Sequence, residues 1–244
     1  MSGHSHARTV KHKKDLDAKK RGKIFSKMAR LISVAVKEGG PNPEINTKLR
    51  IAIETARSYN MPNDNIERAI KRSSGELTGE KLEEILFEAY GPAGTALLIE
   101  GITDNKNRAL GEVKKTLNQY NGKLVKEGAV RWMFERKGCI TINIKEQKEE
   151  LQNKENLELI AIEAGAEDVG WRNGNLDIYV STESLEEAKK ILEEKEVKIE
   201  SSSLDWKPKE TINLKEKEKA SCLKLFEALD ENDDVQDIYS NVEL

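Results

Sequence analysis

From residue 136 to residue 204 the sequence switches between two periodicities in one order. Residues 138–144 alternate apolar and polar, as a half-buried strand does. Leu157, Ile160, Ala161 and Ala164 then recur at helical spacing. Residues 167–171 and 176–180 read as strands flanking Arg172-Asn173-Gly174-Asn175, and Asn-Gly tolerates the positive φ angles of a tight hairpin. A helix over 185–194 and an extended run over 197–204 complete the series. The order is βαββαβ, that of a ferredoxin-like sandwich with two helices on an antiparallel sheet. Residues 136–204 are therefore expected to form a complete α+β domain.

The flanking segments do not close a sheet separately. Upstream, strands over 85–90 and 95–102 are joined through Gly91-Pro92-Ala93-Gly94. A helix over 108–120 follows, and Asn121-Gly122 turns the chain into a strand region reaching Phe134. Downstream come a helix over 216–229 and a strand over 235–239. Joined, 80–135 and 205–244 make one split α+β domain with 136–204 inserted. Gly91-Pro92-Ala93-Gly94 lacks the Lys-Ser/Thr of a phosphate loop and reads as a turn. In Thr103-Asp104-Asn105-Lys106-Asn107-Arg108, an Asp or Asn is placed to cap a helix.

Before residue 79 the pattern is helical throughout. Ile24, Phe25, Met28, Leu31, Ile32 and Ala35 form one stripe, ended by Gly39-Gly40-Pro41-Asn42-Pro43. Leu49, Ala52, Ile53 and Ala56 mark a second helix, and Ile66, Ala69 and Ile70 a third, after Met61-Pro62. These short helices need one another's apolar faces to be stable. A three-helix domain over 16–79 is expected, preceded by a mobile basic arm over 1–15 that has almost nothing to bury.

Charge separates along the same boundary. Residues 1–75 hold 17 Lys and Arg against 7 Asp and Glu, a net +10, while the remaining 169 residues hold 24 against 37, a net -13. The first 30 residues alone hold 10 against 2, a net +8. A basic head on an acidic body points to a polyanionic partner. The candidate nucleic-acid contacts are Lys11, His12, Lys13, Lys14, Lys19, Lys20, Arg21, Lys23, Lys27 and Arg30. The arm has few aromatics and no obvious recognition helix, so it suits phosphate and shape recognition rather than base reading.

Other chemistries find little support. All three histidines, His4, His6 and His12, lie in the arm, a poor platform for preorganised catalysis, so no catalytic residue, metal site or cofactor is expected. Ser2-Gly3-His4 could hold Cu(II) in a plane once Met1 is removed, but phosphate-facing histidines suit the arm better. Cys139 and Cys222 have no metal-ligand spacing and read as small buried apolar residues of a reducing cytosol. No apolar run approaches the ~18 residues of a membrane helix, and the basic N-terminus lacks the apolar core of a secretory signal. A cytoplasmic monomer is expected, with nucleic acid as partner and neither membrane nor small-molecule substrate.

The sequence also resembles the YebC/PmpR family, which includes the mitochondrial translational activator of cytochrome oxidase subunit I. The matching stretches are Met1-Ser2-Gly3-His4-Ser5, Asp17-Ala18-Lys19-Lys20-Arg21-Gly22-Lys23-Ile24-Phe25 and Asn60-Met61-Pro62-Asn63-Asp64-Asn65-Ile66-Glu67-Arg68-Ala69-Ile70. Tyr90-Gly91-Pro92-Ala93-Gly94, Thr103-Asp104-Asn105-Lys106-Asn107-Arg108 and Gly128-Ala129-Val130 match as well, in register along the chain. The resemblance implies a helical domain followed by two α+β domains, the last inserted into the middle one. It implies non-enzymatic, cytoplasmic, DNA-binding transcriptional regulators. Some members look instead like translation factors that act at the ribosome on difficult sequences such as proline runs. The family usually has Lys-Trp after Gly-His-Ser, where this chain has His6-Ala7-Arg8.

Overall fold

The computed structural model describes residues 18–75 and 82–243; the arm, with Lys11, His12, Lys13, Lys14 and the Ser2-Gly3-His4 terminus, lies outside the described residues. Three helices come first: α1 (Ala18–Gly39), α2 (Thr47–Ser58) and α3 (Asn63–Ser74). Helix α1 packs against both others through Met28, Ile32, Ala35 and Val36, which meet Leu49, Ala52, Ile53, Ala56, Ile66 and Ala69 in one core. These are the expected stripes. Buried Asn46 pins the corner between the first two helices. Its side-chain oxygen accepts from the Leu49 N–H at 3.0 Å, and its amide donates to the carbonyls of Ala35 and Gly40, both at 2.7 Å.

The first sheet is built from β1 (Glu83–Tyr90), β2 (Ala96–Thr103), β3 (Lys123–Leu124) and β8 (Val235–Ser240), in the order β3-β1-β2-β8. Helices α4 (Lys106–Gln119) and α7 (Glu216–Asp230) pack on it. Ile85, Phe87, Ala89, Leu97, Ile99 and Ile238 meet Val113, Leu117, Leu225, Phe226 and Leu229 in a shared core. Cys222 is buried there and Cys139 is buried on β4 (Phe134–Asn143), as expected of small apolar residues.

The second sheet combines β4 with β5 (Asp168–Arg172), β6 (Asn175–Val180) and β7 (Ser201–Pro208), in the order β5-β6-β4-β7. Its helices are α5 (Lys154–Glu163) and α6 (Leu185–Glu194), giving the expected βαββαβ sequence. Asn173 and Gly174 turn the β5–β6 hairpin with φ of 49° and 83°.

Numbered in chain order, the strands of the second sheet lie 2-3-1-4. The first sheet has the same spatial order if β2, β3, β1 and β8 take positions 1, 2, 3 and 4. It is thus a ferredoxin-like sheet in which the third strand has moved to the start of the domain. This explains why its pieces look incomplete when read separately. The described residues divide into two compact units, Glu135–Lys207 and the remainder up to Phe134 and from Pro208.

Two segments differ from expectation. The extended run over 197–204 becomes a strand only at Ser201. The strand region expected from Asn121-Gly122 to Phe134 pairs only at Lys123–Leu124. Beyond it, the N–H groups of Gly128, Val130 and Arg131 donate to the carboxylate of Glu88 at 2.6, 2.7 and 2.9 Å. Donors that a strand would give to a neighbouring strand are gathered by one side chain, so the segment is a loop. Burial raises the Glu88 carboxyl pKa, but the three N–H donors outweigh it and hold the group below the usual carboxylate range.

Candidate nucleic-acid interface

The described part of helix α1 begins with Ala18-Lys19-Lys20-Arg21. Arg21 is exposed, whereas the side chains of Lys19 and Lys20 lie outside the described set.

The next cations on the helix have a different environment. Lys23, Lys27 and Arg30, spaced by four and three residues, share one face and meet the last residue of α7 and the segment that follows it. Lys27 is almost wholly buried; it donates to Asp230 Oδ1 at 2.7 Å and to the Asp230 carbonyl at 3.0 Å. Lys23 donates to the Glu231 carbonyl and to its carboxylate at 3.0 Å. Two lysines of α1 therefore satisfy the last carbonyls of α7 and offset the acidic residues that oppose its dipole.

Arg30 reaches furthest inward. It donates to the carbonyls of Ile102 and Asp233 at 3.2 and 2.9 Å, and to Asp234 Oδ1 at 2.6 Å. Buried Asp234 takes Arg108 and Thr103 Oγ1 on its other oxygen, at 2.9 and 3.0 Å. Gly101 makes this approach possible, because a Cβ there would lie 2.4 Å from the Asp234 carbonyl. Burial pushes the Asp234 carboxyl up, yet Arg108, Arg30 and Thr103 together bring it below the usual range. Arg108 also pairs with Asp104 at 2.6 Å, and its guanidinium pKa is raised chiefly by Asp234. Asn105 caps α4, its side chain accepting from the Arg108 N–H at 3.1 Å, as the sequence suggested.

A second link joins the helices to the first sheet. Lys48 of α2 bridges Glu38 at 2.7 Å and Glu84 of β1 at 2.8 Å. Burial lowers its ammonium pKa, but hydrogen bonds to both glutamates raise it further, so the net shift is upward.

The candidate contacts thus fall into two groups. Lys23, Lys27 and Arg30 are brought together, already matched with carboxylates of the same chain, while Arg21 remains exposed at the leading end. Arg68, Lys71 and Arg72 on α3 are further exposed cations of the helical head. Their spacing by three and four is visible in the sequence, although they are not among the contacts read from it. A groove of about 650 Å³ beside Asp234 mixes Arg30, Arg108 and Lys115 with Glu112, Glu231 and Asp233. Its mixed sign makes it no obvious phosphate cradle.

Because the Asp234 and Glu88 carboxyls are both held below their ordinary values, the stability they give is complete above about pH 5. It is lost as the pH falls through the depressed values. The melting temperature is therefore expected to stay nearly flat from pH 8 to 5 and to drop below about pH 4. Melting curves at successive pH values check this. A decline centred near pH 6.5 would contradict it.

Among the described residues no group of three or more His, Cys, Asp or Glu is arranged to hold a metal ion. No described helix is long and apolar enough to cross a membrane.

Comparison with known proteins covers both parts of the chain. The family model described as the TACO1/YebC protein N-terminal domain matches residues 5–76, and that of the TACO1/YebC second and third domain matches residues 82–242. A probable transcriptional regulatory protein of Caldanaerobacter subterraneus subsp. tengcongensis is 45% identical over 245 residues, covering 100% of this chain and 99% of its own. One from Aquifex aeolicus is 46% identical over 246 residues, covering 100% and 96%. The crystal structure of a conserved hypothetical protein from Aquifex aeolicus superposes with a TM-score of 0.86 at 46% identity, over 96% of this chain and 95% of that one. From its helical head to its last strand, the chain belongs to the TACO1/YebC family.

Proposed function

We propose that this protein is a non-enzymatic, cytoplasmic regulator of gene expression that binds nucleic acid as a monomer through its basic head, with DNA in a transcriptional role as the first target. The observation that carries the reading is the +8 charge of the first 30 residues, in a chain whose net charge is -3. The relatives' description as probable transcriptional regulatory proteins supports it. Lys11, His12, Lys13, Lys14, Lys19, Lys20 and Arg21 make the phosphate contacts, joined by Arg68, Lys71 and Arg72. Lys23, Lys27 and Arg30 hold α1 on the acidic segment after α7 and so set the direction in which the others point. Affinity comes largely from displaced counterions, and the acidic body repels nucleic acid elsewhere. No cofactor takes part.

A second reading is a ribosome-associated translation factor that binds ribosomal RNA and relieves stalling, for example at proline runs. It is favoured by a cation set that suits backbone and shape more than base edges. Duplex promoter fragments, scrambled duplex and purified ribosomes separate the two. The transcriptional reading expects at least a tenfold preference for promoter over scrambled duplex at physiological salt. Co-sedimentation with ribosomes and relief of stalling in a reconstituted system, without that preference, would favour translation.

In either case the double variant K20E/R21E is expected to lose most affinity at physiological salt, with a salt dependence shallower by about 0.9 for each duplex phosphate contact removed. Unchanged affinity would contradict the proposed role of the head.

A further inference from the structure

The loop held by Glu88 carries the most exposed tryptophan of the protein. Trp132 is 63% exposed, while its indole N–H donates to the Ala129 carbonyl at 3.1 Å. The ring is therefore oriented as well as accessible. Its support is unusually well fixed for a loop. Glu88 collects the N–H groups of Gly128, Val130 and Arg131, and its own carbonyl accepts from Val125 at 2.9 Å. On the following residue, the Met133 carbonyl accepts from Lys209 at 2.9 Å. Lys126, Arg131 and Lys209 are exposed on and beside this loop; Glu127, Glu135 and Glu210 are the nearby exposed acids in sequence, and Arg131 also interacts with Glu88.

An aromatic face left in water costs free energy, and a carboxylate buried to brace the loop that carries it adds desolvation. The exposed ring itself fills no part of the core. A fixed aromatic face with cations beside it is what stacking on an unpaired base requires, the cations following the adjoining phosphates. Duplex DNA keeps its base faces covered by their neighbours, so an inward stack is closed to Trp132 unless the strand is single or splayed.

We propose that Trp132 and its cationic surround form a second nucleic-acid contact, which stacks on an unpaired base of single-stranded RNA or DNA. This rests on the nucleic-acid reading of the head and adds what the head lacks, a contact that distinguishes single-stranded from paired substrate. Glu88 acts as a positioning residue for the loop.

The test uses the full chain, with fluorescein-labelled 12-nucleotide RNA, the same sequence as DNA, and the corresponding duplex, followed by anisotropy at physiological salt. Trp132→Ala should weaken single-strand binding by roughly five- to a hundredfold, the range carried by one stacked base. Duplex affinity and melting temperature should stay unchanged, and Trp132→Phe should restore most of the loss. Because no charge is removed, the salt dependence should keep its slope. An equal loss on RNA and DNA identifies the stacked base alone as the ligand feature; a larger loss on RNA adds recognition of its sugar.

Unchanged single-strand affinity in Trp132→Ala would overturn the proposal while leaving the head intact. So would an equal loss on single strand and duplex, or failure of phenylalanine to rescue. A wild-type protein that binds duplex and ribosomes yet no single strand would also overturn it. Absence of all nucleic-acid binding would remove the head reading and this one together. If Trp132→Ala instead abolishes capture of a defined protein partner and leaves oligonucleotide binding untouched, the surface is a protein interface and the proposal fails.

Discussion

Replacing Glu88 with alanine is expected to lower stability by about 2–5 kcal/mol, among the largest effects of any single substitution in this protein. The removed carboxylate accepts from three backbone N–H groups, and each donor left unpaired in a buried site costs about 1–3 kcal/mol. Gly128 and Arg131 lie near enough to solvent for water to replace part of what they lose, which keeps the total below the simple sum. Val130 has no such relief, being fully buried. Glu88→Gln should fall between wild type and alanine, because an amide oxygen can accept from some of the donors while its NH₂ group opposes the rest. Urea denaturation of the three proteins checks the order. A Glu88→Ala protein as stable as wild type would show that the loop does not depend on this carboxylate.

Removing the Asp234 carboxylate should have an effect of similar size by another route. Asp234→Ala leaves the guanidinium of Arg30 without its closest partner in a part-buried site and deprives Thr103 of its acceptor. Breaking one side of a buried ion pair costs about 3–5 kcal/mol; partial exposure of the arginines discounts this to roughly 2–4 kcal/mol here. The readout is local as well as global. Because Arg30 anchors α1, amide exchange along α1 should accelerate more than exchange in β4 or β6. A double-mutant cycle of Arg30→Ala with Asp234→Ala should give a coupling of at least about 1 kcal/mol. Additive effects would mean that the contact carries no stability.

These two carboxylates mark the boundary of what the sequence could reveal. The βαββαβ order between 136 and 204 was readable because each element has its own period and Asn173-Gly174 marks the hairpin. Glu88 could not be singled out. It follows Ile85-Leu86-Phe87 on a strand, and its donors lie 40 to 43 positions later. Nothing local distinguishes a carboxylate that meets three N–H groups from one that meets water. Asp234 is concealed differently, within Asp230-Glu231-Asn232-Asp233-Asp234, a run that reads as a solvated acidic face. Its first partner, Arg30, is 204 positions away.

The same distance effect explains the division of the basic helix. Local spacing placed Lys23, Lys27 and Arg30 with Lys19, Lys20 and Arg21 as one cationic surface. Only the folded chain shows that the first three meet carboxylates from the far end of the sequence. Most of the stripe residues of the three-helix head, by contrast, were legible because their partners lie within about 50 positions and follow helical periodicity. The first sheet was only partly legible. Its strand order is that of the second sheet, but β1 stands ahead of its expected place and the βαββαβ signature never appears in line.

The central claim is that α1 carries two functionally distinct sets of cations, and one paired measurement tests it directly. Affinity for duplex DNA and for ribosomes, together with melting temperature, is measured on K20E/R21E and on K23E/K27E. The account predicts a crossed result. K20E/R21E loses binding and keeps its melting temperature within a degree or two, whereas K23E/K27E loses several degrees because like charges now face Asp230 and Glu231. If K23E/K27E abolishes binding without loss of stability, or K20E/R21E binds as wild type does, the assignment of the two sets is wrong.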